Sequence, residues 1–155
     1  MSVISLVGSR ALDPTFSTLV AQVVARAVED GTQTFCVPCG RGAAQFARSA
    51  VADAGAILRV FAASAVPIPS TVARLIVRSR NCVRSSQSVV AFLASPNSIG
   101  TLGEIQFAIS LGLPVVAFCC GFAPALLPAF GGAWVREDRF GSRGWRWVSH
   151  QAKLL

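Results

Sequence analysis

The stretch SVVAFLASPNSIGTLGEIQFAISLGLPVVAF, Ser88–Phe118, decides the fold. It opens on an apolar run, Ser88–Leu93, and crosses the turn residues Pro96 to Gly100. A helical segment follows from Thr101 to Leu111, and after Gly112 a second apolar run, Pro114–Phe118, closes the stretch. Strand, helix and strand in this order make one βαβ unit, the crossover by which two strands become parallel neighbours. Both runs are continuous and not alternating, as expected of strands covered by helices on both faces.

Toward the N-terminus the same unit recurs. Val3 to Val7 reads as a strand that stops at Gly8-Ser9-Arg10. Asp13-Pro14 supplies a helix cap and a first-turn proline, and Phe16, Leu19, Val20, Val23, Val24, Ala27 and Val28 then recur at helical spacing up to Gly31. Thr34–Val37 is a second strand, broken by Pro38 and Gly40-Arg41-Gly42, and Ala43–Ala54 a second helix. Ile57–Ala62 is a third strand, Ala63–Ser70 a loop, and Thr71 to about Arg84 a third helix carrying Val72, Leu75 and Ile76. Right-handed crossovers turn this series into an α/β fold, Rossmann-like and doubly wound: a mainly parallel five-stranded sheet with helices on both faces. Beyond Gly121, Trp134-Val135 and Trp145–Val148 flank the turn-rich Arg136–Gly144 and suit a C-terminal hairpin or edge strand. With no repeat, low-complexity tract or long linker, residues 1–155 read as a single domain, with a core of 1–120 and an extension of 121–155.

Composition narrows the partners. Apolar residues make up 53% of the chain and charged residues 14%, so a packed core is expected and disorder is not. The net charge is +7, and every basic residue but Lys153 is an arginine, whose planar fork pairs bidentately with phosphate. An anionic partner follows. Nucleic acid is disfavoured, because the arginines are scattered and the chain has no Tyr for a stacking platform. No basic, apolar leader opens the chain, and the uncharged stretch Ile105–Val135 is cut by Gly112, Pro114, Gly121, Pro124 and Pro128. The expectation is therefore a cytoplasmic protein with no membrane span and, having five cysteines, an odd number, reduced thiols.

In an open α/β sheet, ligands bind beyond the carboxyl ends of the strands. Three loops there have unusual content: Gly8-Ser9-Arg10, Gly40-Arg41-Gly42, and Pro96 to Glu104. Glycine admits a close backbone approach, and a following helix N-terminus offers unpaired N–H groups to a phosphate. Neither G-x-G-x-x-G nor G-x-x-x-x-G-K-[ST] occurs, which disfavours ordinary dehydrogenases and P-loop ATPases. Glu104 is the only carboxylate between Asp53 and Glu137. It either faces the ligand, where it can bind ribose hydroxyls or stabilise an oxocarbenium-like centre, or closes a capping box with Thr101. Arg80 either approaches the same rim or shares a solvated helix face with Arg74, Arg78 and Arg84. Cys36-Val37-Pro38-Cys39 has a metal-like spacing, yet the adjacent Cys119 and Cys120 would point to opposite strand faces and give no second pair. His150 has no nucleophile partner in view. Neither metal nor cofactor is expected.

Taken in order, these pieces resemble the SLOG superfamily, the Rossmann-like group that includes the LOG phosphoribohydrolases, the DprA recombination mediators and the YspA/YpsA-type proteins. The resemblance runs through Val7-Gly8-Ser9-Arg10, Cys39-Gly40-Arg41-Gly42-Ala43, Arg80-Asn81, Val89-Val90-Ala91-Phe92 and Gly100-Thr101-Leu102-Gly103-Glu104, and ends in Ala108–Val116. It covers about residues 3 to 118. It implies a ligand-binding set of Gly8, Ser9, Arg10, Gly40, Arg41, Gly42, Asn81, Ser98, Gly100 and Thr101. It also implies that Arg80 and Glu104 match the catalytic pair of the LOG enzymes, which release a base from a nucleoside 5′-monophosphate. Asn97-Ser98 stands where those enzymes have paired glycines, and Gly103 where they have a first glutamate. The resemblance thus implies a sensor or binding module for a nucleotide-like small molecule first, a phosphoribohydrolase second, and DprA-like single-strand binding third. A homodimer is expected too, because the apolar third and fourth helices would leave an open patch on a monomer.

Overall fold

The computed structural model describes residues 2–150. The strands are β1 (Val3–Gly8), β2 (Thr34–Pro38), β3 (Ile57–Phe61), β4 (Ser88–Leu93), β5 (Val115–Cys119), β6 (Gly132–Glu137) and β7 (Gly144–Ser149). The helices are α1 (Ser17–Glu29), α2 (Ala43–Asp53), α3 (Thr71–Arg84) and α4 (Ile99–Ser110). All seven strands form one α/β sheet of order β3-β2-β1-β4-β5-β7-β6. The first five are parallel, while β7 runs antiparallel to β5 and β6 antiparallel to β7.

The expected five-stranded sheet is thus too small, since the C-terminal hairpin joins the same sheet and extends it to seven. Packing explains the extension. The turn-rich stretch before β7 buries Phe140 against Phe118, ring centroids 6.2 Å apart, which carries the apolar core around Phe118 past the edge of β5. On the other face the Trp134 and Trp147 indoles each donate a 2.8 Å hydrogen bond, to the carbonyls of Pro128 and Ala129, and fasten the preceding loop.

Side-chain alternation divides the apolar residues into two cores. Along β4, Val90 and Phe92 face α1 and α2, whereas Val89, Ala91 and Leu93 face α3 and α4. Along β5 and just beyond, Val116, Phe118 and Cys120 take the first side, and Val115, Ala117 and Cys119 the second. Cys119 and Cys120 therefore do point oppositely. The edge strand β3 departs from the expected burial on both faces: Ile57 and Val60 are half exposed or more. No helix among the described residues is long and apolar enough to cross a membrane.

Candidate functional site

The central strands β1 and β4 are register partners up to Gly8 and Phe92, so their carboxyl ends deliver two loops to one place. Gly8 is required there, because a Cβ would collide with the Ala43 methyl and the Phe92 carbonyl. Ser9 then turns inward. Its N–H donates to the Phe92 carbonyl at 2.9 Å, its Oγ accepts from the Ala94 N–H at 2.9 Å, and the same Oγ shares a 2.8 Å hydrogen bond with the Ser98 hydroxyl.

Ser98 is the N-cap residue of α4, yet its side chain makes no cap bond because it is engaged with Ser9. The N–H groups of Ile99, Gly100 and Thr101 precede the first intrahelical acceptors, and none meets another acceptor among the described residues. The helix starts two residues earlier than expected. Thr101 is accordingly inside its first turn and buried, and the capping box with Glu104 does not form.

These N–H groups open on a cleft of about 940 Å³ between α3, α4 and the ends of β1 and β4. Its polar lining includes Ser9, Arg10, Ser95, Ser98 and Thr101. Its apolar lining includes Leu75 and Ile76 from α3 and Ile99 and Phe107 from α4. Convergent polar groups in an apolar concavity of this size are characteristic of small-molecule sites. Gly100 and Gly103 line the cleft with nothing within 4 Å of where a Cβ would stand, so their lack of side chains keeps it wide.

Glu104 lies on the α4 stripe that also carries Gly100, Gly103 and Phe107, the i, i+3, i+4, i+7 spacing of one helix face. Its Oε2 is buried and meets no hydrogen-bond partner among the described residues. Burial pushes the carboxyl up to about 7 against the opposing pull of the Arg78 guanidinium and the Ser79 hydroxyl. The cation acting on Glu104 is therefore Arg78. Arg80 also lines the cleft, but its guanidinium lies over the Phe107 ring, 5.2 Å from the centroid, and Arg84 lies 5.4 Å from the same ring.

The β2–α2 loop is arranged differently. Arg48 donates to the carbonyls of Pro38 (3.0 Å) and Gly40 (2.8 Å), Arg78 donates to the carbonyl of Cys39 (2.6 Å), and the first N–H of α2, from Ala43, donates to the Ser9 carbonyl (3.1 Å). The carbonyls of this loop are thus bound within the protein, and Gly40, Arg41 and Gly42 do not line the cleft. Asn81 does not line it either; its carbonyl accepts from the Ser85 hydroxyl at 2.7 Å. Of the expected ligand-binding set, Gly8, Ser9, Arg10, Ser98, Gly100 and Thr101 line the same cleft as Glu104 and Arg80.

Cys36, Cys82 and Cys120 are buried, and His150 is exposed. Among the described residues no group of three His, Cys, Asp or Glu side chains is placed to hold a metal ion. Comparison with protein-family models, curated proteins and solved structures finds no match. Sequence reasoning missed Arg78, Ser79, Leu75, Ile76, Ser95 and Phe107 as site residues. The signal for the α3 set was present, because Leu75, Ile76 and Ser79 recur at helical spacing.

Proposed function

We propose that this chain is a cytoplasmic, Rossmann-like domain of the SLOG kind whose cleft binds a nucleotide-derived phosphate ligand, a nucleoside monophosphate or an ADP-ribose-type molecule. One observation carries the reading: three unspent N–H groups at the start of α4 belong to residues that line the cleft together with the Ser9–Ser98 hydroxyl pair. A helix N-terminus with free donors stabilises an anion through hydrogen bonds and through its dipole. Arg10 lines the same cleft and adds a positive charge, and the apolar lining suits a base and sugar. A binding module is the primary reading because the β2–α2 loop adds no groups to the cleft.

The test is thermal unfolding with a panel of nucleoside monophosphates, ADP-ribose and inorganic phosphate. A ligand selective for the native state raises the Tm, by about 2.7 kcal/mol of added stability at a hundredfold excess over its Kd. Gly103→Leu places a good helix former where only open cleft lies, so the variant folds and loses the ligand-induced rise. A panel with no rise, or an unchanged rise in Gly103→Leu, overturns the proposal.

A second reading, N-glycosidic hydrolysis of a nucleoside 5′-monophosphate to free base and ribose 5-phosphate, is favoured by the partnerless carboxyl oxygen of Glu104 in the same cleft. In it the ionised fraction of Glu104 stabilises the ribosyl cation and Arg80 orients the substrate. Base release from AMP that Glu104→Gln abolishes supports it, and equal residual release by both proteins rejects it. Pairing of two chains through α3 and α4 is the corresponding reading of the exposed Val72, Ile76 and Ile99, and sedimentation tests it.

A further inference from the structure

Two guanidiniums meet on one aromatic ring at the end of the cleft farthest along α4. Phe107 lies on α4, and Arg80 and Arg84 lie one turn apart on α3, with their guanidinium carbons 5.2 and 5.4 Å from the Phe107 centroid. Both arginines are exposed, and among the described residues neither has a hydrogen-bond or ion-pair partner, the one ion pair being Arg136–Asp138. The sequence explains the shortage: α3 carries Arg74, Arg78, Arg80 and Arg84 and no carboxylate. Like charges at i and i+4 repel on a helix, so the ring gathers two forks that a shared anion would stabilise further.

We infer that this end of the cleft is a second anion subsite, and that the ligand carries negative charge at both ends: a phosphate at the start of α4 and a carboxylate or second phosphate at Arg80 and Arg84. The inference rests on the ligand-binding reading and names the class of ligand within it. Gly100, Gly103, Glu104 and Phe107 fall on one face of α4, and all line the cleft. From Gly100 to Phe107 the helix rises about 10 Å, a span that a mononucleotide covers from its phosphate to its base.

Charge and hydrogen-bonding capacity favour an anion there over a neutral group. Three arginines, Arg10, Arg78 and Arg80, line the cleft against one carboxylate, Glu104. Arg78 is engaged with the Cys39 carbonyl and the Ser79 hydroxyl, so a phosphate beside Arg10 leaves Arg80 as the uncommitted cation of the lining. Its planar set of N–H donors matches a carboxylate or phosphate bidentately, and the contact with the ring spends none of them on a hydrogen bond. That contact also restrains a long side chain in advance, which lowers the entropy cost of holding an anion.

The test uses two pairs of nucleotides whose members differ by one anionic group. Nicotinate mononucleotide carries a carboxylate where nicotinamide mononucleotide carries a neutral amide, and ADP-ribose 2′-phosphate carries a phosphate that ADP-ribose lacks. Calorimetry gives the Kd of each for wild type, Arg80→Gln, Arg84→Gln and the double variant, in physiological salt, where the general field of a basic protein is screened. Both positions are exposed, so the variants fold. The ratio of Kd values within a pair is the readout, because a general loss of binding cancels in it. In wild type at least one pair favours its more anionic member about tenfold, and which pair does so identifies the distal group as carboxylate or phosphate. Each single substitution lowers that ratio about threefold, and the double variant brings it near one. Arg80→Lys, which keeps the charge and loses the fork, gives an intermediate ratio. A wild-type ratio near one in both pairs, with the less anionic members still bound, overturns the second subsite and leaves the ligand-binding reading standing. A wild-type preference that survives in the double variant also overturns it, because the extra anion is then read elsewhere. Binding by none of the four overturns the subsite together with the phosphate anchor on which it rests.

Discussion

Two glycine-rich loops lie side by side on this rim and are put to opposite uses. In the β2–α2 loop the carbonyls of Pro38, Cys39 and Gly40 are taken by Arg48 and Arg78, and the α2 N-terminus donates to Ser9. At the start of α4 the N-cap hydroxyl is diverted to Ser9, and three N–H groups are left unspent at an open cleft. Glycine content does not separate the two. What separates them is that Ser98, Ile99, Gly100 and Thr101 line the cleft while Gly40, Arg41 and Gly42 do not, and that the carbonyls of the β2–α2 loop are already taken, because a satisfied group has little to offer a ligand.

The packed loop is most vulnerable at Gly42. Gly42 has φ +68° and ψ −128°, a conformation essentially closed to residues with a Cβ, and an added Cβ would run into the carbonyls of Ser9 and Arg10. Gly42→Ala is expected to lose about 3 kcal/mol or more, combining backbone strain with displacement of the first loop. Urea unfolding measures it. A loss under about 1 kcal/mol would mean that the two loops do not pack as described.

Next in size is the pH dependence of the open side. The folded protein raises the Glu104 carboxyl from an ordinary value near 4.5 to about 7 through burial, so the folded state holds this proton more tightly than the unfolded chain. Stability from this group is full below about 4.5, declines as pH rises toward about 7, and is flat above. The decline amounts to about 3 kcal/mol. Glu104→Gln removes that slope and is at least as stable as wild type at pH 8. Equal slopes for the two proteins between pH 5 and 8 would place the carboxyl in water.

Most of the fold was legible because strands buried on both faces are continuous apolar runs bounded by glycine and proline. The seventh and sixth strands were harder. The Pro128 and Ala129 carbonyls that hold their Trp134 and Trp147 indoles lie in a loop with no periodicity, and the residue that extends the core, Phe140, sits among turn residues. At the site, Glu104 was legible as an isolated carboxylate, whereas the start of α4 was misplaced. Ser98 caps the helix by backbone position alone while its hydroxyl binds Ser9, a contact 89 residues distant that no local pattern encodes. Arg78 was grouped with Arg74, Arg80 and Arg84 as one charged face. The structure divides that group: Arg78 turns to Cys39 and Ser79, while Arg80 and Arg84 lie over Phe107.

Arg10 and Arg41, both exposed on the rim, are expected to differ. Arg41 lies at the centre of the packed loop, between Gly40 and Gly42, and its place in sequence suggests a phosphate ligand as strongly as that of Arg10. Its side chain is exposed and does not line the cleft, whereas Arg10 does. An exposed arginine with no buried partner contributes within about 0.5 kcal/mol to stability. Arg41→Ala is therefore expected to leave both the Tm and the nucleotide-induced rise within error, while Arg10→Ala reduces the rise and not the Tm. Ionic strength separates a general field effect from a contact, because a distant exposed charge is screened at a Debye length of about 8 Å in physiological salt. If Arg41→Ala reduces the nucleotide rise as much as Arg10→Ala in that salt, the two loops act on one ligand, and the division of the rim into packed and open halves is wrong.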